Sequence, residues 1–153
     1  MLPTPCIRKA CRNDVPSIVR LLADDPLGQQ REAYQDPLPE SYYTAFTEID
    51  SDKNNYLIVV ENEHQIIGTS QLTILTHLTY RGGKRAQIEG VRIDKHYRSL
   101  GIGKLMIEWA INKARELGCH LVQLTTDKNR PEALEFYKKL GFTTTHEGMK
   151  LHL

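Results

Sequence analysis

The chain has 153 residues, of which 40% are hydrophobic and 25% are charged. This length suits one domain with a single sizeable core, and the composition is ordinary for a globular protein. No apolar run reaches the roughly 18 residues that a membrane span needs, and residues 1–5 lack an apolar signal segment. The sequence therefore predicts one domain over residues 1–153 and no membrane partner.

The net charge is only +1, but its distribution along the chain is uneven. Eight acids and one base lie between Asp24 and Asp52, whereas seven bases and two acids lie between Arg81 and Lys104. A basic segment suits a polyanionic ligand and an acidic segment suits a cationic one, although either can also be a solvated face. The basic stretch is short and lacks interleaved aromatic residues, so nucleic acid is not expected as a partner.

The cysteines and histidines give no sign of a metal centre. The three cysteines, Cys6, Cys11 and Cys119, lack the spacing of metal ligands, and the six histidines form no H-x-x-x-H array. We therefore predict free thiols in a reducing, cytoplasmic environment and no bound metal.

Hydrophobic periodicity and turn residues predict the elements in chain order. The first part is a strand (Cys6–Ala10), a helix capped by Asn13 or Asp14 and ended by Asp25–Gly28, a polar loop with at most a short helical turn (29–39), a helix (Glu40–Ile49) and two hairpin strands (Tyr56–Glu61, Ile66–Tyr80). The second part is a central strand (Gln87–Asp94), a long helix (Ile102–Leu117), a strand (His120–Thr125), a helix from Arg130 or Pro131 to Leu140, and one or two closing strands (Phe142–Leu153).

The order β-α-α-β-β-β-α-β-α-β combines hairpins with a β-α-β crossover, so the predicted fold is α/β with a mixed sheet, of the α+β kind. Between the central strand and the long helix lies a glycine-containing turn. Its residues are Arg98, Ser99, Leu100, Gly101, Ile102, Gly103 and Lys104. Free backbone N–H groups and the helix dipole favour an anion at such a helix start, and two basic side chains add full charges. The turn therefore predicts a phosphate-bearing ligand.

Two other phosphate motifs do not fit this turn. Gly82-Gly83-Lys84-Arg85 is only a fragment of a P-loop, and Met106 stands where a dinucleotide fingerprint needs its third glycine. The pattern R-x-x-G-x-G instead resembles the acetyl-CoA loop of the GNAT superfamily of N-acetyltransferases, [QR]-x-x-G-x-[GA]. Downstream, Asn129–Phe142 resembles that superfamily's N-x-x-A-x-x-[FL]-Y-x-K-[LM]-G-F segment, with Ala133 to Phe142 matched in register.

The resemblance implies a GNAT-like acyl-CoA N-acyltransferase fold and acetyl-CoA as co-substrate. It places the pantetheine arm along Val91, Arg92 and Ile93, and the pyrophosphate on the turn from Arg98 to Lys104. One departure concerns the family asparagine, which falls on Arg130, one place after Asn129. Either the helix start shifts by one residue, or Arg130 takes over the contact with the CoA arm.

By the same resemblance Tyr137 is the acid that protonates the leaving thiolate, with a packed aromatic ring as the alternative. Glu89 is the candidate general base, because a carboxylate in an otherwise apolar strand is costly to bury unless it has a partner or a role. The alternatives for Glu89 are an ion pair with Arg85 or Arg92, or a solvent-exposed position at the end of the strand. Backbone N–H groups of the central strand would stabilise the oxyanion, as in the family.

The predicted activity is transfer of the acetyl group to a primary amine by direct attack in a ternary complex. The resemblance builds the acceptor pocket from Leu27–Pro39, Tyr42, Tyr43 and the loop Thr76–Lys84. The acidic segment favours a small cationic amine, with a peptide or protein amine left open. The alternative class is a non-catalytic acyl-CoA-binding or regulatory module. An edge left by the closing strands would allow a homodimer.

Overall fold

The structure, a computed structural model, describes residues 4–153. The chain forms two compact units, Met1–Gln123 and Leu124–Leu153. The first unit contains the whole sheet except its last residue, Leu124. The second unit begins at Leu124 and contains the last helix. That the 153 residues form a single domain stays a prediction.

The sheet has five strands, in the spatial order β1-β2-β3-β4-β5. The strands are β1 (Cys6–Lys9), β2 (Asn55–Asn62), β3 (Gln65–Thr76), β4 (Lys84–Ile93) and β5 (Cys119–Leu124). The helices are α1 (Val15–Leu22), α2 (Pro26–Arg31), α3 (Glu40–Ser51), the four-residue turn α4 (Thr79–Gly82), α5 (Ile102–Glu116) and α6 (Pro131–Lys139). Short 3-10 turns span Arg12–Asp14 and Lys95–Tyr97.

The first four strands pair antiparallel, and β5 joins β4 after the α5 crossover, so the sheet is mixed. The fold class and the predicted strand and helix order are confirmed as far as α6. Hairpins need only short connections, whereas the step from β4 to β5 needs a helix, and this difference is readable from the spacing of apolar segments.

One face of the sheet packs against α5. Val60 and Ile67 of the sheet meet Ile102 and Met106 of α5 in a buried cluster, and the partly buried Ile93 at the end of β4 packs against it. These α5 positions recur at helical spacing, so the helix presents one apolar side to the sheet. The packing fixes the end of β4 and the start of α5, and therefore the turn between them.

Part of the opposite face is covered by the first helices. Val19 of α1 and Phe46 of α3 pack with Val59 and Ile66 of the sheet. This second cluster completes a helix–sheet–helix arrangement within the first unit. The two clusters enclose β2 and β3 from both faces, so these two strands contribute most of the buried residues of the sheet.

The predicted helix ends are confirmed where glycine decides them. The predicted helix from Ile102 to Leu117 is α5, which ends at Glu116, with Gly118 in the left-handed region at φ 75°. Gly141, at φ 95°, follows α6 in the same way. Glycine reaches these angles without steric cost, so its position after an amphipathic pattern marks a helix end.

The prediction that Asp25–Gly28 ends the first helix was wrong. These residues begin a new helix, α2, because the Asp25 carboxylate accepts a 2.6 Å hydrogen bond from the Gly28 N–H and Pro26 occupies the first turn. Asp25 is therefore an N-cap rather than a helix breaker. The short helical turn allowed within residues 29–39 lies earlier in the chain, at Pro26–Arg31.

The strand predicted to run from Ile66 to Tyr80 ends at Thr76. The chain leaves the sheet through α4, in which Tyr80 (φ 52°, ψ 42°) and Arg81 (φ 60°, ψ 43°) are both left-handed. Gly82 continues this conformation at φ 74°. Non-glycine residues rarely adopt these angles, so local sequence preferences predicted an extended strand instead.

The closing strands predicted over Phe142–Leu153 are absent from the described structure, in which residues 143–153 form neither helix nor strand. The apolar side chains of this segment, including Met149 and Leu151, are exposed. Alternating apolar residues favour a strand, but a strand also needs a partner that satisfies its backbone groups, and none is paired with this segment among the described residues.

Candidate active site

The central strand β4 is interrupted by a bulge at Gly90. Gln71 of β3 faces Glu89, but Thr69 faces Arg92, so β4 carries one residue more than β3 across this interval. Gly90 supplies the left-handed conformation at φ 63° that such a bulge uses. A bulge leaves backbone groups outside the regular ladder, and here it does so immediately after Glu89.

The predicted anion-binding turn forms between β4 and α5. Ser99 (φ 62°) and Gly101 (φ 85°) both adopt left-handed conformations, and Gly101 is the N-cap of α5. No side chain caps the helix, and a Cβ added at Gly101 would lie in open space. The first N–H groups of α5 are therefore left for an external acceptor, as an anion site requires.

Two basic residues flank this turn and point away from the core. Arg98 and Lys104 are exposed; Arg98 Nε donates weakly to the Ile93 carbonyl at 3.4 Å, and Lys104 lies 3.7 Å from Glu108. Ser99 and Leu100 of the turn are exposed as well, whereas Ile102 and Gly103 are buried at the helix start. The turn thus exposes backbone N–H groups and two basic side chains to solvent, while the first residues of α5 beneath them are buried.

Asp94, at the start of this turn, anchors it to α1. Its buried carboxylate accepts hydrogen bonds from the His96 N–H at 2.9 Å and from Arg20 Nη1 at 2.8 Å. Burial alone would raise the pKa of Asp94, but the His96 N–H and the Arg20 guanidinium outweigh it and lower the pKa below its usual range. From the sequence alone Asp94 is only the last residue of a predicted strand, and its anchoring role depends on contacts with distant residues.

The residues predicted to line the pantetheine arm follow the bulge. Val91 and Ile93 are half-buried and pack against the α5 cluster, while Arg92 turns back to donate from Nη1 to the Val91 carbonyl at 2.8 Å. Their contact with CoA stays a prediction.

Glu89 is exposed, contrary to the expected burial cost. It shares one face of β4 with Arg85 and Gln87, while Ala86 and Ile88 are buried on the other face. Gln87 Nε2 donates to Glu89 Oε1, so the carboxylate is paired with an amide rather than with the arginines considered above. Exposure leaves the Glu89 carboxylate accessible, as a general base must be.

A row of polar side chains continues across this face. Gln123 of β5 donates to Gln87 Oε1 at 3.0 Å, and on the other side Gln71 and Thr73 of β3 both donate to Asn55 Oδ1 of β2, at 2.9 and 2.7 Å. We call the set Asn55, Gln71, Thr73, Gln87, Glu89 and Gln123 the polar floor. Alternation within each strand was the available signal, but only strand register brings the four strands together.

The remaining predicted site residues lie in the second unit. Tyr137 of α6 is half-buried, with its ring edge-on to Phe136 at 5.1 Å and to Phe142 at 5.9 Å. Asn129 is exposed, its N–H bonded to Asp127 Oδ1 at 2.8 Å, and Arg130 is the N-cap of α6. The helix therefore starts at Pro131, immediately after the residue on which the family asparagine falls.

The acidic segment is largely engaged in local structure. Glu32 accepts from Arg31 at 2.8 Å and from the Tyr42 hydroxyl at 3.1 Å, Asp50 pairs with Lys9 at 2.9 Å, and Asp52 bonds the Asn54 N–H and the Asn55 amide. Together with the Asp25 N-cap, these contacts use several of its carboxylates inside the fold. The attraction of this segment for a cationic ligand is correspondingly reduced.

Residues 4–153 contain no group of three or more His, Cys, Asp or Glu side chains placed to hold a metal ion. No helix among these residues is both long enough and apolar enough to cross a membrane. Cys6 and Cys11 are exposed and Cys119 is half-buried, and all three are free thiols.

The model of the acetyltransferase (GNAT) family matches residues 20–142. The glucosamine 6-phosphate N-acetyltransferase of Trypanosoma brucei brucei is 35% identical over 89 residues, which cover 58% of this chain and 58% of that protein. The match thus spans little more than half of that relative's length.

Two solved structures share the fold along nearly the whole chain. The glucosamine-6-phosphate N-acetyltransferase of Arabidopsis thaliana has a TM-score of 0.80 at 25% identity, with 98% of this chain and 99% of that chain covered. A structure described as a transcriptional regulator from Bacillus halodurans C-125 has a TM-score of 0.96 at 53% identity, with 98% and 100% covered. With the family model matching most of the chain, the protein belongs to the acetyltransferase (GNAT) family.

Proposed function

We propose that the protein is an acetyl-CoA-dependent N-acetyltransferase whose acceptor is the primary amine of a small molecule. The observation that carries this proposal is the uncapped, Cβ-free start of α5 immediately after a bulged strand that presents Glu89. Membership of the acetyltransferase family and the names of two relatives, both glucosamine-6-phosphate N-acetyltransferases, support it. Because the acids of residues 24–52 are engaged in local contacts, a cationic acceptor has less support than the sequence suggested, and peptide amines stay a second option.

The proposed reaction is direct attack of the amine on the thioester carbonyl. The acceptor amine has a pKa of about 10.4 in water and must lose a proton before it attacks. Glu89 would take that proton, directly or through water, and N–H groups freed at the Gly90 bulge would stabilise the oxyanion. Collapse of the tetrahedral intermediate breaks the C–S bond, and Tyr137 would protonate the leaving thiolate.

Binding of the co-substrate would use main-chain groups and a few cations. The pyrophosphate would bind the N–H groups at the start of α5, with Arg98 and Lys104 adding charge. The pantetheine arm would run along Val91–Ile93, and Asn129 or Arg130 would contact the CoA arm. Each of these contacts is a proposal.

The first experiment separates binding from turnover. Gly101→Glu places a carboxylate at the proposed pyrophosphate position, so we expect titration calorimetry to show CoA affinity reduced by at least about 100-fold. Gly118→Glu is the matched control, because Gly118 lies at the other end of α5, also left-handed at φ 75° and also in open space. Equal loss in both variants would indicate a folding defect, and tight binding by Gly101→Glu would contradict the proposed site.

Turnover is then measured as loss of thioester absorbance over a panel of primary amines. We expect Glu89→Gln and Tyr137→Phe to lower kcat by about 10²- to 10⁴-fold, with CoA affinity retained. Tyr56→Phe, which removes a hydroxyl on β2, is the control and should behave as wild type.

A non-catalytic acyl-CoA-binding or regulatory module is the second candidate, favoured by the similarity to the Bacillus halodurans structure, which is described as a transcriptional regulator. It predicts the same loss of CoA binding in Gly101→Glu. It differs in predicting no acetyl transfer to any amine of the panel, in wild type as well as in the variants.

A further inference from the structure

The β3–β4 connection is a concentrated patch of positive charge. Between Thr76 and Ala86 the chain carries Arg81, Lys84 and Arg85 and no acid. None of the ion pairs formed among residues 4–153 involves these three side chains. A basic cluster without a paired carboxylate has its charge available for a ligand.

The connection is held in one conformation by its backbone. Tyr80, Arg81 and Gly82 are consecutive left-handed residues, and the turn is closed by hydrogen bonds from the Gly82 N–H to the Leu78 carbonyl (2.9 Å) and from the Gly83 N–H to the Thr79 carbonyl (3.1 Å). Two non-glycine residues in this region are strained, and such strain concentrates at ligand sites. The cluster is therefore carried on a defined loop.

The side chains around the loop stack on one another. The Tyr80 ring stacks on His120 at 4.7 Å, and the Arg85 guanidinium lies 5.4 Å above the Tyr80 ring while Nη2 donates to Thr79 Oγ1 at 3.3 Å. A side chain at Gly83 would collide with His120, since an added Cβ would lie 2.6 Å from its ring. This stack orients the Arg85 guanidinium in advance of any ligand.

Arg85 retains unused hydrogen-bonding capacity. Its buried Nε has no hydrogen-bond partner among the described residues, and neither has the buried Nδ1 of His77 in the same loop. An arginine has five N–H donors, so the Arg85 guanidinium keeps donors that no described acceptor uses. The paired N–H groups of a guanidinium fit two oxygens of a phosphate or a carboxylate.

Strand geometry relates this arginine to the proposed reacting centre. Arg85, Gln87 and Glu89 lie on one face of β4 at alternate positions, with the polar floor beside them. At about 3.3 Å per residue, Arg85 and Glu89 stand about 13 Å apart along the strand. Because the two residues share one face of the strand, a compact polar molecule lying across the floor would have Arg85 at one end and Glu89 at the other.

We propose that the acceptor is a small polar molecule that carries an oxyanion at one end and the reacting amine at the other. Arg85 binds the oxyanion, with Lys84 and Arg81 adding charge, and the amides and hydroxyls of the polar floor bind the polar groups between. This inference rests on the proposed function, because it assigns the amine end to Glu89. It replaces the cationic acceptor favoured by the acidic segment.

The test uses aminoalkyl phosphates of graded chain length against the corresponding amino alcohols, with acetyl-CoA saturating. Wild type should prefer the phosphate, and Arg85→Met should raise the KM for the phosphate by about 10- to 100-fold while leaving the KM for the alcohol unchanged. Arg81→Met should give a smaller increase. The control is Arg115→Met, which removes an equal charge from the exposed end of α5 and should leave both values unchanged.

A binding measurement keeps this inference separate from catalysis. Calorimetric titration of 2-aminoethyl phosphate into CoA-saturated protein needs no turnover, and CoA already occupies the α5 turn. Binding by wild type that is lost in Arg85→Met supports the oxyanion site even if no amine is acetylated, in which case only the proposed activity fails. Absence of binding, equal use of phosphates and alcohols, or equal effects of Arg85→Met on both would overturn the inference.

Discussion

Asp94 joins the central strand to the turn through one carboxylate. It accepts from the His96 N–H on its own segment and from Arg20 on α1, so it ties the start of the turn to the helix layer. A buried carboxylate without such partners would be costly, and removing one partner leaves the other unsatisfied. The contact therefore bears on both stability and the shape of the anion site.

We predict that Asp94→Asn lowers the free energy of unfolding by about 1–3 kcal/mol at neutral pH. The folded-state pKa of Asp94 is lowered, so its contribution is fully present above the unfolded-state value of about 3.9 and is lost as the pH falls below it. Urea denaturation at pH values on either side of about 4 should show the gap between wild type and variant closing at the lower value.

Asp127→Asn is the control for this prediction, because Asp127 is exposed and its contact with the Asn129 N–H survives the change to an amide. It should alter stability by less than about 0.5 kcal/mol. A gap for Asp94→Asn that is independent of pH would contradict the assignment of its contribution to the charged carboxylate.

At the scale of single residues, the sequence predicted the conformation of glycines at helix ends better than the surroundings of the charged side chains. Gly101, Gly118 and Gly141 all have positive φ at helix ends, where glycine is the residue without a steric cost. Glu89 was expected to be buried because its neighbours are apolar, but alternate positions of a strand face opposite ways, and its face is exposed. Whether a strand face is covered depends on other elements, which the local pattern does not contain.

At the scale of elements, α2 depends on one closely packed glycine. Gly28 is buried, and a Cβ added to it would lie 2.0 Å from the Leu22 carbonyl oxygen and 2.7 Å from Asp25 Oδ1. The first of these is a backbone atom at the end of α1, which cannot move without shifting that helix. Gly28 thus sets how closely α2 follows α1.

We predict that Gly28→Ala destabilises the protein by about 1–3 kcal/mol, because the added methyl overpacks this contact. The matched control is Gly148→Ala, since Gly148 has open space around it and should tolerate the change within about 0.5 kcal/mol. Chemical denaturation measures both. Unchanged stability in Gly28→Ala would mean that α2 moves away from α1 without cost.

The long elements were predictable and the short ones were not. α5 has enough turns to show its apolar stripe, and β2 and β3 show their alternation. By contrast, α2 is defined by one capping contact, and α4 by left-handed residues that no propensity favours. The tail after Gly141 shows the converse, since its alternating apolar residues lack a strand to pair with among the described residues.

At the scale of the whole molecule the strand order followed from the kinds of connection, because hairpins and one helical crossover leave few arrangements. The candidate site was only partly predictable. Its backbone turn was recognisable from spacing, whereas the polar floor arises from the register of four strands and the basic loop from a strained backbone. Neither register nor strain can be read from a single segment.

We predict that the chain unfolds in one cooperative transition. A segment of fewer than about 40 residues rarely maintains a core of its own, and Leu124–Leu153 is shorter than that. It should therefore not stay folded once the rest of the chain has unfolded. Fluorescence of the single tryptophan, Trp109 of α5, reports on the first unit, and far-ultraviolet circular dichroism reports on both. The two thermal curves should coincide; an earlier loss of ellipticity would show that the second unit melts separately.

The half-buried Cys119 gives the protein a built-in chemical reporter. Burial raises the pKa of its thiol, and the nearby Lys84 lowers it in part. Alkylation proceeds through the thiolate, so Cys119 is the slow-reacting thiol beside the accessible Cys6 and Cys11. An oxyanion bound to Lys84 would cancel the lowering of the Cys119 pKa by this cation, and would slow the reaction of Cys119 further. The labelling rate of one native thiol therefore follows occupancy of the basic loop.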